Sequence, residues 1–448
     1  MIEPNEIAGT RPLAVDRPRT SSRARNVAQR SADGGAGEVS PALSVPYTGE
    51  RHGPDWVILA LVVALTGLGI LMVFSSTAVA SYSAGKGVLA VAGPQAAWAA
   101  LGFALLLVLM RIDYRWLRVA SLPGLLGAIG LLILVMIPGL RVEVGGSAQW
   151  LQLPGLPAIQ PGELAKLALV VYLAHWLARR GNAVRSLRGG LLPFVVITVP
   201  VVLLIFKGPD IGTSGVLALA AAVMFFVAGG NPLFLAGLAL PAVVIVLAVL
   251  ERYQVDRLRA FIDPFADPTG IGFHSVQGLL ALGLGGLFGA GLGETAAVGG
   301  IVLPNAFNDY VFAIVGQEFG FAGAGLVIAA FLLLAWRGVR VALAAPDTFG
   351  ALLAVGVTAV LCLQALVNVG VVVTLLPVTG ITLPFVSAGG SSLIVSLAAV
   401  GILLSVSRET LPRGGVVDAS GDRGRRNRRA HLPGPGRRPL APRPARSA

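Results

Sequence analysis

The sequence predicts an all-α polytopic membrane protein, with about ten transmembrane helices and a long extracytoplasmic loop between helices 7 and 8. Three observations carry this reading. Of the 448 residues, 55% are hydrophobic and only 12% charged, at a mean hydropathy of +0.80, whereas roughly a quarter of an ordinary soluble domain is charged. Apolar runs long enough to cross a bilayer, about 20 residues each, recur from Trp56 to Ser407. Arginine is concentrated in alternate connections between those runs. One membrane domain, residues 54–407, follows, with tails at 1–53 and 408–448.

In chain order, hydropathy places spans at 56–80, 89–110, 119–138, 160–178, 191–206, 211–229, 232–250, 311–336, 349–376 and 383–406. The connections after even-numbered spans carry Arg111, Arg115 and Arg118, then Arg179, Arg180, Arg185 and Arg188, then Arg337 and Arg340, with little acidic compensation. By the positive-inside rule these face the cytoplasm. Ten spans then leave both tails in the cytoplasm and put the longest connection, residues 251–310, outside. Its Gly-rich portion, LGLGGLFGAGLGE, has to lie in water, at the interface or against protein, because unpaired backbone is not tolerated in lipid. No strong internal repeat is present, which disfavours an inverted-repeat transporter. The first apolar run begins only at Trp56 and is of full spanning length, so no cleavable signal peptide is expected.

The net charge of +12 sits largely in the tails, whose Arg, Pro, Gly and Ser content reads as disordered. The cluster Arg425, Arg426, Arg428 and Arg429 suits anionic lipid headgroups, and no nucleic-acid partner is expected. The single cysteine, Cys362, sits in an apolar run, can form no internal disulfide and reads as packing.

Ionisable groups near a bilayer are costly and default to functional hypotheses. Five segments stand out, all toward the outer side, and four of them hold such groups. In QPGELAK, Glu163 and Lys166 are three apart and share a helix face, as a structural ion pair or as a substrate contact. In PDIGTSG, Asp210 stands at a helix start, where capping competes with a binding role. DRLRAFIDPFADPTGIGFH combines Arg257 and Arg259 with Asp263 and Asp267. Guanidinium binds phosphate oxygens bidentately and a carboxylate can take a hydroxyl proton, although Asp-Pro pairs also shape turns. LPNAFNDYVFAIVGQEFGF places Asp309 at the start of the eighth span and Glu318 within it, as a packing anchor or a site residue. LPVTGITLPFVSAGGSS is broken by Pro and Gly and brings Ser391 and Ser392 to a cavity lining. There is no GxxxxGK[ST], no HExxH and no Cys/His ligand cluster, which disfavours ATP-driven transport and a zinc site.

At these five segments the chain resembles the SEDS family, the FtsW, RodA and SpoVE proteins of division, elongation and sporulation. The marks are GSAQWLQLPGLPAIQPGELAKLAL, PDIGT, DPFADPTGIGFH with LGGLFGAGLG, LPNAFNDYVFAIVGQEFG and LPVTGITLPFVSAGGSS, between about Ala60 and Arg408. The resemblance implies a ten-helix fold in the bacterial inner membrane. It also implies an inverting glycosyltransferase that polymerises lipid II onto a growing glycan strand beside a class B penicillin-binding transpeptidase and other divisome or elongasome proteins, with the division branch favoured. It makes Asp267 the catalytic carboxylate and Arg257 the matching arginine. Lys166, Glu163, Asp210, Asp309, Glu318 and Ser391 are carried as substrate-binding candidates. No cofactor is firmly implied, and Mg or Mn with the pyrophosphate stays open. Gln149, Phe307, Gln317 and Ala388 depart from the residues usual at their positions. A lipid II transporter and a non-catalytic scaffold are the alternatives.

Overall fold

The structure, a computed structural model, describes residues 53–83, 85, 87–144, 147–152, 158–208, 210–248, 252–293 and 307–409. Residues 1–52 and 410–448, with the Arg425–Arg429 cluster and the expectation of disorder, lie outside the described residues. The chain is mostly helical: α1 (Trp56–Ser83), α2 (Ala92–Arg111), α3 (Leu117–Leu134), α4 (Pro161–Arg180), α5 (Leu192–Lys207), α6 (Ile211–Val227), α7 (Pro232–Ala248), α8 (Arg252–Ile262), α9 (Phe273–Gly285), α10 (Val311–Ala344), α11 (Thr348–Val372) and α12 (Gly390–Ser407). Among the described residues seven helical stretches are long and apolar enough to cross a membrane, and α6 is apolar but 17 residues long. The fold is that of a multi-pass membrane protein.

Several helix boundaries follow from local chemistry. Pro161 opens α4, where its missing N–H costs nothing, and Glu163 in the first turn with Arg179 and Arg180 in the last complement the helix dipole. Asp347 caps α11 by accepting from the Gly350 amide at 2.7 Å. At the centre, α12 has 83% of its apolar stretch buried, against 22% for the stretch containing α3. Its fit against α2 depends on small residues. A Cβ on Gly102 would fall 2.5 Å from Leu397 Cδ1, and one on Gly401 2.7 Å from the Leu106 carbonyl oxygen, so the two backbones approach as small-residue membrane interfaces do.

Four features depart from the sequence reading. The fold is not purely helical, since Arg141–Val144 (β1) and Ser147–Leu151 (β2) pair antiparallel, with Arg141 opposite Leu151 and Val142 opposite Trp150. The stretch 251–310 is not simply a loop, because it contains α8 and α9. The ninth span ends at Val372 rather than 376 and the tenth begins at Gly390 rather than 383. Between them Thr374 and Phe385 take positive φ (55° and 67°), a conformation no helix accommodates. Finally, α10 is broken at Gly320 (φ 69°), and the freed groups are taken by the Gly-rich segment. Phe321 and Ala322 amides donate to the Gly286 and Leu287 carbonyls, and Ala290 and Gly291 amides donate to the Gln317 and Glu318 carbonyls, at 2.9 to 3.2 Å. This part of the segment is satisfied against protein, one of the three settings available to it.

The two ends of the bundle differ chemically. At one, Asp55 pairs with Arg337 at 2.6 Å, Arg115 with Glu409 at 2.7 Å and Arg118 with Asp347 at 2.7 Å. Exposed Trp56, Trp116 and Trp336 ring the same end, with the Arg340 guanidinium 4.2 Å from the Trp336 ring centre. At the other end lie the starts of α4, α6 and α10 and the whole segment between α11 and α12. The candidate residues collect there.

Candidate functional site

The organising element is the non-helical segment Val378–Thr382. Its Val378 carbonyl accepts from Arg257 on α8 at 3.4 Å. Thr379 and Ile381 press so closely on the start of α6 that a Cβ on Gly212 would fall 2.3 Å from Ile381 Cγ1. At Gly380, whose φ is +72°, the position of a Cβ lies 3.9 Å from Asp309 Oδ2. The Ile381 carbonyl accepts from Asn368 on α11 at 2.7 Å, and the Thr382 carbonyl accepts from Gln364 at 3.0 Å. One five-residue stretch therefore meets groups from α6, α8 and α11 and Asp309, two residues before α10.

Glu163 and Lys166 form a buried pair at 2.9 Å, and the second Lys166 hydrogen bond goes to Gln364 Oε1 at 2.6 Å. An ammonium has three N–H donors, which leaves one unassigned. Both residues line a small cleft between α4, α11 and α12, whose walls include Val170, Leu361, Val395 and Ser396. Asp210 caps α6 by accepting from the Thr213 amide at 2.9 Å and also accepts from Gln160 Nε2 at 3.2 Å. Burial pushes its carboxyl above the usual range, opposed by the Thr213 hydrogen bonds and the Lys166 charge. Ser391 accepts from the Gln160 amide at 3.3 Å, and Ser392 shares a hydrogen bond with Thr382 at 3.0 Å. These two serines are thus used inside the network, and Ser396 is the α12 serine on the cleft wall.

Asp309 lies just before α10. Burial raises its carboxyl, against the opposing charges of His274 and Arg257, while the His274 and Tyr310 rings stack at 5.8 Å. Glu318 lies apart from this group. Its carboxylate accepts from the Ser75 hydroxyl on α1 and from the Gly293 amide at 3.3 Å, beside the break in α10.

Asp267 is exposed in the turn between α8 and α9. Oδ1 accepts from the Gly270 amide at 2.9 Å and Oδ2 from the Ile271 amide at 3.2 Å. Among the neighbouring arginines, Arg257 donates to the Val378 carbonyl at 3.4 Å and Arg259 pairs with Asp256 at 3.5 Å. Asp263 similarly accepts from the Phe265 and Ala266 amides, the turn-shaping use of an Asp-Pro pair.

Sequence reasoning passed over Gln95, Gln160, His274, Gln364 and Asn368. Gln95, on α2, donates to the Ser387 carbonyl at 3.1 Å and accepts from the Gly389 amide at 3.3 Å. Buried amides within apolar spans were the available signal. Of the departures, Gln149 accepts from Gln160 at 3.0 Å, the Phe307 carbonyl accepts from the Ala388 amide at 2.8 Å, and Gln317 is buried.

Known proteins share this architecture. A family model described as "Cell cycle protein", that of FtsW, RodA and SpoVE, matches residues 55–411. A "Probable peptidoglycan glycosyltransferase FtsW" of Trichlorobacter lovleyi is 40% identical over 79% of this chain and 93% of its own length. Stage V sporulation protein E of Bacillus subtilis is 39% identical over 81% and 99%. A chain from a structure described as "Structural coordination of polymerization and crosslinking by a peptidoglycan synthase complex" superposes with a TM-score of 0.66 at 32% identity, covering 80% of this chain and 98% of that one. The crystal structure of the Thermus thermophilus rod shape determining protein RodA gives 0.59 at 29%, covering 80% and 98%. With the match running through the whole helical domain, the chain belongs to the FtsW, RodA and SpoVE family of cell cycle proteins.

Proposed function

We propose that this protein is a peptidoglycan glycosyltransferase that polymerises lipid II into β-1,4 glycan strands, in the division branch of its family. The observation that carries the reading is the gathering at Val378–Thr382 of Arg257 and the Asp309 carboxylate, joined through Gln364 to a buried lysine–glutamate pair beside a largely apolar cleft. A lipid-linked pyrophosphate has this character, anionic at one end and apolar along the rest. The relatives named as FtsW glycosyltransferases supply the reaction class.

In this scheme the 4-hydroxyl of one lipid II attacks the anomeric carbon of the growing strand. The carbon–oxygen bond to undecaprenyl pyrophosphate breaks and the configuration inverts. Asp267 takes the hydroxyl proton. Each of its oxygens is held by one amide, which leaves lone pairs open to an incoming hydroxyl. Arg257 and the remaining Lys166 donor stabilise charge on the departing phosphate, an interaction strengthened by exclusion of water. Glu163, Asp210, Asp309 and Ser391 shape and bind around these two, while Glu318 braces the break in α10. No group of three or more His, Cys, Asp or Glu suited to a metal is present among the described residues. A Mg or Mn ion would therefore depend on the pyrophosphate for ligands, and no step is assigned to it.

The same reading assigns ten crossings of the bacterial inner membrane, residues 251–310 outside and both tails cytoplasmic. The Arg- and Trp-rich end of the bundle supports that orientation. The basic C-terminal tail lies against anionic lipids, and a class B penicillin-binding transpeptidase and other divisome proteins are the partners. Labelled lipid II given to the purified protein in detergent, with and without the transpeptidase, tests the reading. Glycan ladders support it. Their absence under both conditions overturns it in favour of a transporter, which has no membrane to work across there, or of a non-catalytic scaffold.

A further inference from the structure

Two buried side-chain amides on one face of α11 do work that the mechanism above leaves unassigned. Gln364 and Asn368 are four residues apart, hence one above the other on the helix, and both are at most 2% exposed. Gln364 accepts from Lys166 at 2.6 Å through Oε1, while Nε2 donates to the Thr382 carbonyl at 3.0 Å and hydroxyl at 3.3 Å. Its orientation is fixed, because an ammonium can only donate and a carbonyl can only accept. Asn368 donates through Nδ2 to the carbonyls of Asp309 and Ile381, both at 2.7 Å. Its Oδ1 has no hydrogen-bond partner among the described residues, so the two donated bonds alone set the amide plane.

We propose that Gln364 and Asn368 are positioning residues: they fix Val378–Thr382 between Lys166 and Asp309 and so set the spacing of the cationic and carboxylate groups around the substrate. The inference rests on the polymerase reading and names what holds its site together. The segment has no helical ladder of its own, and Gly380 sits at φ +72°. Without the amides the Ile381, Thr382 and Asp309 carbonyls lose buried donors. A displacement of about 1 Å at a reacting group can cost roughly 100-fold in rate.

The substitutions Gln364→Leu, Gln364→Glu and Asn368→Leu separate the contacts. Gln364→Glu keeps an acceptor for Lys166 and loses the donors to Thr382, whereas Gln364→Leu loses both. Thr358→Val on the same helix is the control, since the Thr358 hydroxyl is buried and has no partner among the described residues. Two readouts are taken on purified protein, namely polymerisation of labelled lipid II across its concentration range and hydrogen exchange of the peptide covering residues 378–387. Gln364→Leu and Asn368→Leu are expected to lower kcat roughly 10- to 100-fold with KM within about threefold, and to exchange faster at 378–387. Gln364→Glu falls between, and Thr358→Val matches the unsubstituted protein. Leucine variants that keep kcat within about twofold, or that leave exchange at 378–387 unchanged, overturn the inference. So does a loss expressed wholly in KM. If the unsubstituted protein makes no glycan, the polymerase reading fails, and unchanged exchange in the variants separately sinks the positioning role.

Discussion

Replacing Lys166 with Met, similar in length and uncharged, should be among the most destabilising single changes in the bundle. Glu163 and Lys166 are 4% and 3% exposed and 2.9 Å apart. Removing the lysine strands a buried carboxylate and also leaves Gln364 Oε1 without its donor. Breaking a buried pair from one side costs about 3–5 kcal/mol, or roughly two to nearly four orders of magnitude in the folded-to-unfolded ratio. Glu163→Gln should cost less, about 1–3 kcal/mol, because the new side chain still offers Lys166 an acceptor and Gln364 remains. The double substitution removes both charges and should be clearly milder than the sum of the two, by at least about 2 kcal/mol. Reversible unfolding in mixed micelles across the four proteins measures this. Strict additivity, or a Lys166→Met protein within about 1 kcal/mol of the original, would show that the pair is not desolvated and would refute the reasoning.

Three further outcomes are expected. Asp347→Ala should destabilise by about 1–2 kcal/mol through loss of the α11 cap, with Asp347→Asn recovering most of it in thermal unfolding. The partly exposed Arg118 pair adds little to that difference. Because burial raises the Asp309 carboxyl in the folded protein, its contribution to stability is present below the ordinary carboxylate range and is lost as pH rises through the raised value. The stability of Asp309→Asn relative to the unsubstituted protein should therefore climb with pH across that window, and a flat difference would contradict the burial. Thr269→Cys, in an exposed turn and in a Cys362→Ser background, should react with an impermeant thiol reagent on intact cells. Labelling only after lysis would reverse the proposed orientation.

Much of the helical framework could be read from hydropathy because each span had to be apolar along its length, as α1 and α11 are. What escaped was structure made by tertiary partners. The break at Gly320 sits within one predicted span, 311–336, and is stable because Gly286–Gly291 takes its backbone groups. The boundaries at Val372 and Gly390 depend on residues at positive φ, including Phe385, whose own side chain gives no such signal. At the site, Glu163 and Lys166 were legible as a pair because helix spacing forces them together. Gln364 and Asn368 were missed because uncharged amides stand out less in an apolar span, although their burial cost demands partners just as firmly. The tertiary partner of Arg257, the Val378 carbonyl 121 residues away, could not be read from the sequence, whereas the turn-closing bonds of Asp267 to the Gly270 and Ile271 amides are local.

The assignment of Asp267 as the general base is the claim most open to direct measurement. Purified Asp267→Asn protein, nearly unchanged in volume, should bind labelled lipid II and associate with the transpeptidase as the unsubstituted protein does. Its glycan elongation should fall below about a tenth of the original rate, since general-base help is worth roughly 100- to 10,000-fold. Elongation above about a tenth would contradict the assignment and transfer the role to Asp309, the carboxylate facing His274 and Arg257.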